Sequence, residues 1–570
     1  MNDHDAATTP PGFHSADGPA EQALRAALAA ARPTGPLPLA GLVARLGVAG
    51  RRRAVLAPDG SATAPAGADV TGIAYDSRRV VPGGCFVAVP GHHTDGHAYL
   101  GGADRAGAVA LVVERPLPAS AATQLVVDSA QFALATVAAW WSGDPATRLG
   151  IIGITGTDGK TTTAGMAVSA LEAAGVRTGL VSTAEQKAGA LRAGALSHVT
   201  TPEAPELQLA LRAIEAAGDV AAVVESTSHG LALERVGEIP YDIAIFTNLT
   251  HEHLEFHGTF DSYRAAKASL FSRLTGPAGR VSKPATLPGG RGWPRAGIVN
   301  LDDPNSAVFL DAARGAGARV ITYGPDLAAD VRASAIFDSR DGLRATVATP
   351  RGTAELRLRL VGRFNILNAL AVVALGEALE LDAGAVLAGL ASFEGVRGRR
   401  ERVECGQPFG VVVDYAHTPA SLETALSVLE PLTGPGGGLI AVFGSAGERD
   451  TAKRAIQGEV AGRRCRLVVA TDEDPRGEDA QLILEQVASG AERAGRRRGV
   501  DLLLIADRRA AIAAAFDRAQ PGDMVLLAGK GHETGILYHG WEQPWDERAV
   551  AEQLLAERGF GAADPGGGVS

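Results

Sequence analysis

The sequence predicts three tandem α/β domains, of which the middle one contains a doubly wound, mostly parallel sheet and the last is Rossmann-like. Three observations support this fold class. The chain has 570 residues, and a prior of about one domain per 100 to 200 residues gives three or four. Short apolar runs alternate with helical segments, as in parallel sheets. A composition of 46% hydrophobic and 21% charged residues is typical of folded domains.

The apolar runs locate the strands and one helix of these domains. In the first domain they predict two strands and a following helix, and the two later blocks each repeat the strand and helix alternation. The predicted strands are Cys85–Val89, Val109–Val113, Leu149–Ile154, Val220–Val224, Ile243–Thr247, Ala296–Asn300, Gly410–Asp414, Leu439–Gly444, Leu467–Thr471, Leu502–Ile505 and Met524–Gly529, and the helix is Gln131–Trp141.

Composition changes along the chain set the predicted boundaries. Residues 1–35 are rich in Ala, Pro and Gly and are expected to form a loose tail, with one stretch, Glu21–Ala31, that could be helical. We expect the first domain at 36–147, the second at 148–396 and the third at 397–570. The Pro/Gly-rich stretch Gly276–Trp293 is predicted to be a surface insertion.

Charge and cysteine usage exclude several classes of protein. The formal net charge of −10 argues against nucleic-acid binding, which requires clustered Lys and Arg. The three cysteines, Cys85, Cys405 and Cys465, lie far apart and form no CxxC pair, so neither a disulfide framework nor a cysteine zinc site is predicted. No window reaches the roughly 18 apolar residues that span a bilayer. We therefore expect a cytoplasmic protein without membrane insertion.

A phosphate-binding loop follows the Leu149–Ile154 strand. Gly153 to Thr163 reads GITGTDGKTTT, which keeps the GK[ST] end of the general phosphate loop but is shorter at its front. Backbone amides and the following helix would bind phosphate, Lys160 would contact the outer phosphates, and the Thr161 hydroxyl suits Mg²⁺. The alternative is an ordinary Gly-rich turn, and the flanking strand and helix favour the phosphate loop, hence a P-loop ATPase domain that binds ATP and Mg²⁺.

Two further strands end in polar clusters. Glu225 ends one and His253 follows the next, and because ligands bind beyond the carboxyl ends of parallel strands, both should converge on the phosphate loop. They offer oxygen and nitrogen ligands to a divalent cation, although a single His at a strand end is more often structural. Lys267 lies on a predicted helix, and its surroundings in the sequence alone indicate only a solvated lysine.

The order of motifs closely resembles the Mur ligase family, and within it the MurE type. The resemblance covers Thr71 to Arg548. It rests on Asp76-Ser77-Arg78, Gly91 to Gly96, the phosphate loop, Thr200-Thr201-Pro202, Glu225 to His229, Asn248 to Gly258, Gly362 to Asn365, Asp414 to Pro419, Phe443 to Asp450, Asp472 to Arg476 and Gly529 to Glu533.

The resemblance implies an ATP-dependent ligase that adds a free diamino acid to UDP-N-acetylmuramoyl-L-alanyl-D-glutamate through an acyl phosphate, acting as a monomer. It implies that Lys267 carries a CO₂-derived carbamate. The implied catalytic residues are Lys160, Lys267, Glu225 and His253, and the metal ligands Thr161, Glu225, His253 and carbamylated Lys267. ATP would contact Thr155, Gly156, Thr157, Asp158, Gly159, Lys160, Thr161, Asn365, Arg399 and Asp414. The UDP-substrate would contact Ser77, His92, His93, Thr94, Thr200, Thr201, Thr227 and Arg235.

The implied amino-acid pocket departs from the family pattern. Its residues are Arg449, Asp472, Glu473, Asp474, Pro475, Arg476, Gly529 and Glu533, and the family's usual DNPR has Asn where this chain has Asp474. Arg476 with Arg449 would clamp the distal carboxylate of meso-diaminopimelate, whereas the charge of Asp474 favours the ammonium of L-lysine or L-ornithine. Asp474 could instead pair with Arg476 and touch no ligand. We favour meso-diaminopimelate slightly, because Arg449, Arg476, Gly529 and Glu533 match.

Other departures and other classes of protein stay open. Leu233 replaces a Gln that often helps to bind the UDP-substrate, Glu252 stands where Asp is common, and Arg397 replaces a usual Pro. The alternatives are another amide ligase of this architecture, of the folylpolyglutamate or cyanophycin synthetase type, and an ATP-dependent switch that performs no ligation. The DSR and GHHTDG segments of the first domain argue against the rival ligases.

Overall fold

The computed structural model describes residues 19–58, 67–91, 94–194, 196, 199–250, 252, 254–275, 283–339 and 342–561. Its first element is helix α1 (Pro19–Ala30), within the segment that was expected to be a loose tail. The side chain of Leu24 is fully buried and joins a hydrophobic core of the middle lobe. The helix predicted as possible at Glu21–Ala31 is therefore confirmed. The expectation of a loose tail is wrong for this part, because Leu24 gives the helix an apolar side that packs against the fold.

The N-terminal lobe is a five-stranded sheet in the order β2-β7-β6-β5-β4, with β2 antiparallel to β7 and the other pairs parallel. The helix after β7 begins at a Ser129 cap and packs its apolar face on the sheet. The elements are β1 (Leu37–Pro38), α2 (Leu39–Val48), β2 (Arg52–Leu56), β3 (Asp69–Val70), β4 (Ile73–Ala74), β5 (Cys85–Val87), α3 (Leu100–Arg105), β6 (Ala110–Val113), β7 (Thr123–Val127) and α4 (Ala130–Trp141).

The middle lobe has an eight-stranded sheet in the order β11-β10-β9-β12-β8-β13-β14-β15, parallel except for the β10–β11 hairpin at one edge. Neighbouring residues Ile151 and Ile152 belong to different cores, so both faces of the sheet are covered. The strands are β8 (Gly150–Thr155), β9 (Thr178–Val181), β10 (Glu185–Ala188), β11 (Leu191–Gly194), β12 (Ala221–Glu225), β13 (Ile243–Phe246), β14 (Ala296–Asn300) and β15 (Arg319–Tyr323).

A separate three-stranded antiparallel sheet follows, which the sequence did not predict. Its first strand shows no clear alternation of buried and exposed residues, so its sequence lacks the period of two that marks a strand. Its strands are β16 (Arg332–Ser339), β17 (Gly342–Thr349) and β18 (Gly352–Leu358). The helices of the lobe are α5 (Lys160–Ala173), α6 (Ala204–Ala216), α7 (Ser228–Ala232), α8 (Leu254–His257), α9 (Phe260–Ser272), α10 (Ser306–Gly315), α11 (Phe364–Ala378) and α12 (Ala383–Ser392).

The described part of the expected surface insertion, 283–293, is anchored to the middle lobe. Trp293 is 6% exposed and fills the space over Gly150, where a Cβ would overlap its indole ring. Lys283 binds Asp242 with 2.5 Å between Nζ and Oδ2. The expectation of a purely surface segment is wrong for these residues, because one large apolar ring and one ion pair hold them in place.

The C-terminal lobe is a six-stranded sheet in the order β19-β20-β24-β21-β22-β23, parallel except for β19. Cores on both of its faces match the Rossmann-like prediction. Its elements are β19 (Glu401–Arg402), β20 (Gly410–Asp414), α13 (Pro419–Leu429), β21 (Leu439–Phe443), α14 (Ala452–Arg464), β22 (Cys465–Ala470), α15 (Ala480–Arg493), β23 (Leu502–Leu504), α16 (Arg508–Arg518), β24 (Met524–Ala528), β25 (Gly535–Tyr538), β26 (Trp541–Pro544) and α17 (Glu547–Ala556). Among the described residues of the whole chain, no helix combines the length and apolarity needed to cross a bilayer.

Candidate active site

The phosphate loop leaves the end of β8 and turns into α5 through two glycines with positive φ. Gly156 has φ 149° and lies so close to Thr247 that a Cβ would overlap the Thr247 hydroxyl. Gly159, the N-cap of α5, has φ 79° and lies against the side-chain oxygen of Asn368. Only glycine fits both positions without strain. The loop therefore has the compact backbone that aims amides at a phosphate group.

Residues that follow the neighbouring strand β13 hold the loop in place. The Thr157 amide donates to the Asn248 carbonyl at 2.8 Å, and the Asp158 amide donates to the Asn248 side chain at 3.0 Å. The Thr247 hydroxyl donates to the Asp158 carbonyl at 2.7 Å. The Thr157 hydroxyl lies 2.9 Å from the Tyr263 hydroxyl of α9. The loop conformation is thus set by the adjacent strand and helix as well as by its own glycines.

Two lysines converge on the same carbonyl of this loop. The Lys160 ammonium donates to the carbonyls of Gly156 at 3.0 Å and Thr157 at 2.6 Å. The Lys267 side chain, 2% exposed on α9, donates to the Gly156 carbonyl at 2.5 Å and lies 4.6 Å above the ring of Tyr263. Burial, and secondly the charge of Lys160, holds the pKa of Lys267 well below its usual range. Lys267 is therefore no ordinary solvated lysine.

Glu225 ends β12, the other neighbour of the phosphate-loop strand, and is fully buried. Its Oε2 accepts hydrogen bonds from the Thr183 amide at 2.7 Å and the Thr183 hydroxyl at 2.6 Å. Its Oε1 is buried and has no hydrogen-bond partner among the described residues. A buried carboxylate oxygen without a partner fits a divalent cation, for which it is a preferred ligand.

The predicted metal ligands are described only in part. His253 lies outside the described residues, whereas Thr161 lies in the first turn of α5, after the loop. Over the described ranges, no three His, Cys, Asp or Glu side chains cluster as a ready-made metal site. The predicted ligand set combines a hydroxyl, one carboxylate, an imidazole and a modified lysine. The residues that are described, above all Glu225, fit Mg²⁺.

The residues predicted for the UDP-substrate in the middle lobe form one hydrogen-bonded cluster with Glu225. The Thr201 hydroxyl donates to the Glu225 carbonyl at 2.9 Å and lies 3.0 Å from the Thr227 hydroxyl. Arg235 donates to the Thr201 carbonyl at 3.0 Å, and the Thr200 hydroxyl lies 2.9 Å from that of Thr183. The sequence reasoning missed Thr183, which follows the short strand β9. The apolar run before it, Thr178–Val181, could have indicated this strand and hence a polar residue at its end.

The predicted residues of the N-terminal lobe lie in separate turns. Ser77 begins a short 3-10 turn that the Asp76 side chain caps, and the Thr94 carbonyl accepts the Gly91 amide at 3.0 Å. Next to the first turn, the Tyr75 hydroxyl bonds to Glu206 of the middle lobe at 3.1 Å. This contact brings the Ser77 turn to the boundary between the two lobes. His92 and His93 lie outside the described residues.

The residues predicted for the nucleotide come from both sides of the linker between the second and third lobes. Asn365 accepts a hydrogen bond from Asn368 at 3.0 Å, and Asn368 in turn contacts Gly159 of the phosphate loop. Asp414 accepts the amides of Ala416 at 2.8 Å and Arg400 at 2.9 Å. The Arg399 guanidinium lies 4.9 Å over the ring of Tyr415. The predictions missed Asn368, although it lies one turn after Asn365 on the same helix.

Asp474 pairs with Lys530, a partner that the sequence did not suggest. The Lys530 ammonium donates to Asp474 Oδ1 at 2.8 Å and also pairs with Glu533 at 2.7 Å. The same Asp474 oxygen accepts the Leu537 amide at 2.9 Å. The predicted alternative of a pair with Arg476 is wrong, because Lys530 occupies that carboxylate. Lys530 thus partly compensates the negative charges of both Asp474 and Glu533.

The other predicted amino-acid residues surround the ends of β22 and β24. Arg476 has φ 55°, its amide donates to the Leu537 carbonyl at 2.9 Å, and its Nε is buried without a partner in the described part of the chain. Glu473 is buried, and burial raises its pKa to about 7. Of the remaining residues, Arg449 is exposed and Pro475 is buried. Asp472 accepts a hydrogen bond from the Tyr538 hydroxyl at 3.1 Å. Gly529 has φ 104° and lies against Glu473.

Comparison with known proteins matches three family models. These are the Mur ligase family catalytic domain at 69–138, the Mur ligase middle domain at 154–376 and the Mur ligase glutamate ligase domain at 398–531. The chain is 49% identical over 506 residues to a UDP-N-acetylmuramyl-tripeptide synthetase of Roseiflexus sp. (strain RS-1), covering 87% of this chain and 96% of the relative.

Two further matches extend over similar lengths. A UDP-N-acetylmuramoyl-L-alanyl-D-glutamate--2,6-diaminopimelate ligase of Syntrophomonas wolfei is 37% identical, covering 86% of this chain and 96% of the relative. A solved structure of a ligase with that name aligns with a TM-score of 0.61 at 27% identity, covering 86% of this chain and 96% of that one. The chain therefore belongs to the Mur ligase family of ATP-dependent amide ligases, and its relatives are of the MurE type.

Proposed function

We propose that this chain adds meso-diaminopimelate to UDP-N-acetylmuramoyl-L-alanyl-D-glutamate, using ATP, in the synthesis of the peptidoglycan precursor. The observation that carries the proposal is the convergence of the phosphate loop, Lys267 and Glu225 at the ends of three adjacent strands and one helix. The relatives whose names state this activity support the substrate. We also propose that the protein is a cytoplasmic monomer, and its three buried free cysteines fit a reducing compartment.

The chemistry begins with a carboxylate, which is a poor electrophile because its charge repels nucleophiles. Transfer of the γ-phosphoryl group of ATP to the carboxylate of the D-glutamyl residue gives an acyl phosphate and ADP. The free amine of the amino acid attacks the acyl carbon, a proton leaves the nitrogen, and collapse of the tetrahedral intermediate expels phosphate and leaves an amide. Lys160 neutralises charge on the transferring group, while closure of the lobes excludes water.

Glu225, Thr161 and His253 are proposed to hold Mg²⁺, with a carbamate on Lys267 as a further anionic ligand. When bound, the cation would neutralise the charge of the phosphates. The orphan Oε1 of Glu225 supports its place in this set. Burial lowers the pKa of Lys267 and so favours the neutral amine, whose lone pair adds to CO₂ with loss of a proton, which supports carbamylation of Lys267.

The threonine cluster next to Glu225 is proposed to orient the dipeptide end of the UDP-substrate. Thr200, Thr201, Thr227 and Arg235 supply hydroxyls and a guanidinium on the same side of the sheet as the phosphate loop. Ser77, His92, His93 and Thr94 are proposed to contact the UDP end from the first lobe. The carboxylate to be activated would then lie near the γ-phosphate of ATP.

The pairing of Asp474 supports meso-diaminopimelate as the amino acid. Because Lys530 and the Leu537 amide bind Asp474 Oδ1, the charge of Asp474 is partly compensated and attracts an ammonium group less strongly. Arg476 keeps a buried Nε without a partner in the described residues, so an incoming distal carboxylate could use it. L-lysine and L-ornithine present an ammonium at that place and would leave the arginine unpaired.

The test is amide formation from purified components. Wild-type protein is given ATP, Mg²⁺ and the UDP-dipeptide with equal concentrations of meso-diaminopimelate, L-lysine and L-ornithine, and products are identified by mass. We expect the meso-diaminopimelate tripeptide and release of phosphate that requires both the UDP-dipeptide and the amine. Phosphate release without either substrate would indicate a switch, and a lysine or ornithine product would refute the amino-acid assignment.

A variant tests the proposed carbamate separately. Lys267→Ala should abolish the amide product while leaving the affinity for the UDP-dipeptide unchanged, and excess bicarbonate should not restore activity. Arg314→Ala, which removes an exposed arginine on α10 of the same lobe, is the control for loss of one positive charge. Full activity of Lys267→Ala would contradict the proposed role of this lysine.

A further inference from the structure

The two arginines that the sequence predicts for the amino acid lie on two loops in close contact. The first loop, 444–450, follows β21, and the second, 472–478, follows β22, the parallel neighbour of that strand. The Gly447 amide donates to the Asp474 carbonyl at 2.8 Å. A Cβ at Gly447 would overlap the Pro475 carbonyl oxygen, so only glycine permits this approach. The two loops therefore form one packed unit.

Arg454 of α14 binds both loops. Its side chain is fully buried and pairs with Glu478 of the second loop through two contacts, Nη1 to Oε2 at 2.8 Å and Nη2 to Oε1 at 3.0 Å. Nη2 also donates to the Ala446 carbonyl of the first loop at 3.0 Å, and Nη1 donates to the Gln486 side chain of α15 at 2.7 Å. Glu478 Oε1 accepts the Glu448 amide of the first loop as well. One ion pair thus ties the two loops to each other and to the helices α14 and α15.

The backbone of each loop is strained at or directly before its arginine. Glu448, which precedes Arg449, has φ 55°, and Arg476 itself has φ 55°. Both values lie in the left-handed region that residues with side chains rarely adopt. Such backbone persists only where the surrounding structure enforces it, and the bond from the Glu448 amide to Glu478 is one such restraint. The directions in which the two arginines leave the backbone therefore depend on the contacts between the loops.

We propose that Arg454 and Glu478 are positioning residues that fix the separation between Arg449 and Arg476 and so select the length of the diamino acid. This inference deepens the proposed function and rests on it. Arg454 is 0% exposed, so it acts through the loops rather than on the substrate. A guanidinium and a carboxylate that meet through two parallel contacts hold one geometry. Arginines at a fixed spacing bind a distal carboxylate at one distance from the reacting amine and disfavour a shorter or longer chain.

A series of diamino acids that differ by one methylene tests the proposal. The full chain is given ATP, Mg²⁺ and the UDP-dipeptide at saturation with diaminoadipate, meso-diaminopimelate or diaminosuberate, and kcat/KM is measured for each. Wild type should favour meso-diaminopimelate over the shorter and the longer analogue by about tenfold or more, the usual discrimination for one methylene. Arg454→Lys, which keeps the charge but not the paired contacts, and Glu478→Gln should each reduce this preference severalfold.

The way in which activity is lost separates positioning from catalysis. In both variants the KM for meso-diaminopimelate should rise, while kcat and the KM for ATP stay as in wild type. Arg464→Lys is the matched control, because it changes another arginine of α14 that pairs with Glu423 and Glu430 instead of a loop. This control should keep the length preference of wild type.

Three results would overturn the proposal. These are no length preference in wild type, an unchanged preference in both variants, and an equal loss of kcat/KM for all three amino acids, which a purely structural role would give. Thermal unfolding checks each variant, and if Arg454→Lys does not fold, Glu478→Gln carries the test, because its side chain is partly exposed and keeps its shape. Wild type that forms no amide with any of the three would refute the proposed function and this inference with it, whereas a preference that survives both substitutions would refute this inference alone.

Discussion

Replacement of Glu473 by glutamine should remove a strong dependence of stability on pH. The carboxyl group is 6% exposed, and its Oε2 has no hydrogen-bond partner among the described residues. Burial first, and the charge of Asp474 in addition, raises its pKa from 4.5 to about 7, against the opposing effect of Lys453, Lys530 and Arg508. The folded protein therefore favours the neutral acid.

The sign and size follow from the two pKa values. Because the pKa in the folded state lies above that in the unfolded state, the stabilisation is fully present below about pH 4.5 and is lost as pH rises through about 7. The difference between these two pKa values, at about 1.4 kcal/mol per pKa unit, corresponds to a change of about 3 kcal/mol in the free energy of unfolding. Glu473→Gln stays neutral at every pH. Its stability relative to wild type should therefore rise with pH by about that amount.

Hydrogen exchange of the β21 amides measures this difference, because these residues open only when the C-terminal lobe unfolds. Wild type, Glu473→Gln and the exposed control Glu404→Gln are compared from about pH 5 to about pH 8. We expect the free energy of unfolding of Glu473→Gln to rise relative to that of wild type as pH rises. The free energy of unfolding of Glu404→Gln should change with pH as that of wild type does. A difference between wild type and Glu473→Gln that is constant across this range would refute the reasoning.

Three further predictions concern the site and the C-terminal lobe. Gly156→Ala should eliminate ADP binding in titration calorimetry, because its Cβ would overlap the Thr247 hydroxyl at a φ of 149°. Thr183→Val should weaken Mg²⁺-dependent amide formation, because Glu225 loses a hydrogen bond worth about 1.5 to 3 kcal/mol to a charged group. Glu547→Gln should destabilise the C-terminal lobe by about 3 to 5 kcal/mol in urea unfolding, because it breaks a fully buried pair with Arg508.

Each of these variants has a control in the same chain. Gly315→Ala, a helical glycine with open space around its Cα, should bind ADP as wild type does. Thr424→Val removes an exposed hydroxyl that bonds only within its own helix and should keep full activity. Glu552→Gln, in an exposed pair on the same helix as Glu547, should change stability by less than about 1 kcal/mol. ADP binding by Gly156→Ala, full activity of Thr183→Val or unchanged stability of Glu547→Gln would contradict the corresponding argument.

Strand positions and the phosphate loop could be predicted because their signals are local. A buried parallel strand is a short apolar run, and β8 with its Gly-rich turn and helix follows that pattern directly. The convergence of Glu225 on the loop was predicted because ligands bind beyond the carboxyl ends of parallel strands, and in the structure β12 lies next to β8. Features that depend on adjacent residues could therefore be predicted from the sequence.

Features that depend on distant partners could not be read from the sequence. Lys267 sits on an ordinary helical pattern, and only its 2% exposure and its bond to Gly156 distinguish it. The partner of Asp474 lies 56 residues along the chain, at Lys530. The sequence did not single out Arg400 beside Arg399, because its stacking on Phe364 arises only when two lobes meet. Pairings of this kind are set by topology rather than by local spacing.

Helix α1 limits association between copies of the chain, because it packs beside an edge strand of the middle sheet. Strand β11 ends the eight-stranded sheet, and an unpaired strand edge offers a row of amides and carbonyls to any other extended peptide. The fully buried Leu24 and the partly buried Leu28 bring α1 against this hairpin, with Leu191 in the same core. A shortened chain that starts at residue 36 would expose this strand edge. Helix α1 therefore protects the sheet against strand addition and aggregation.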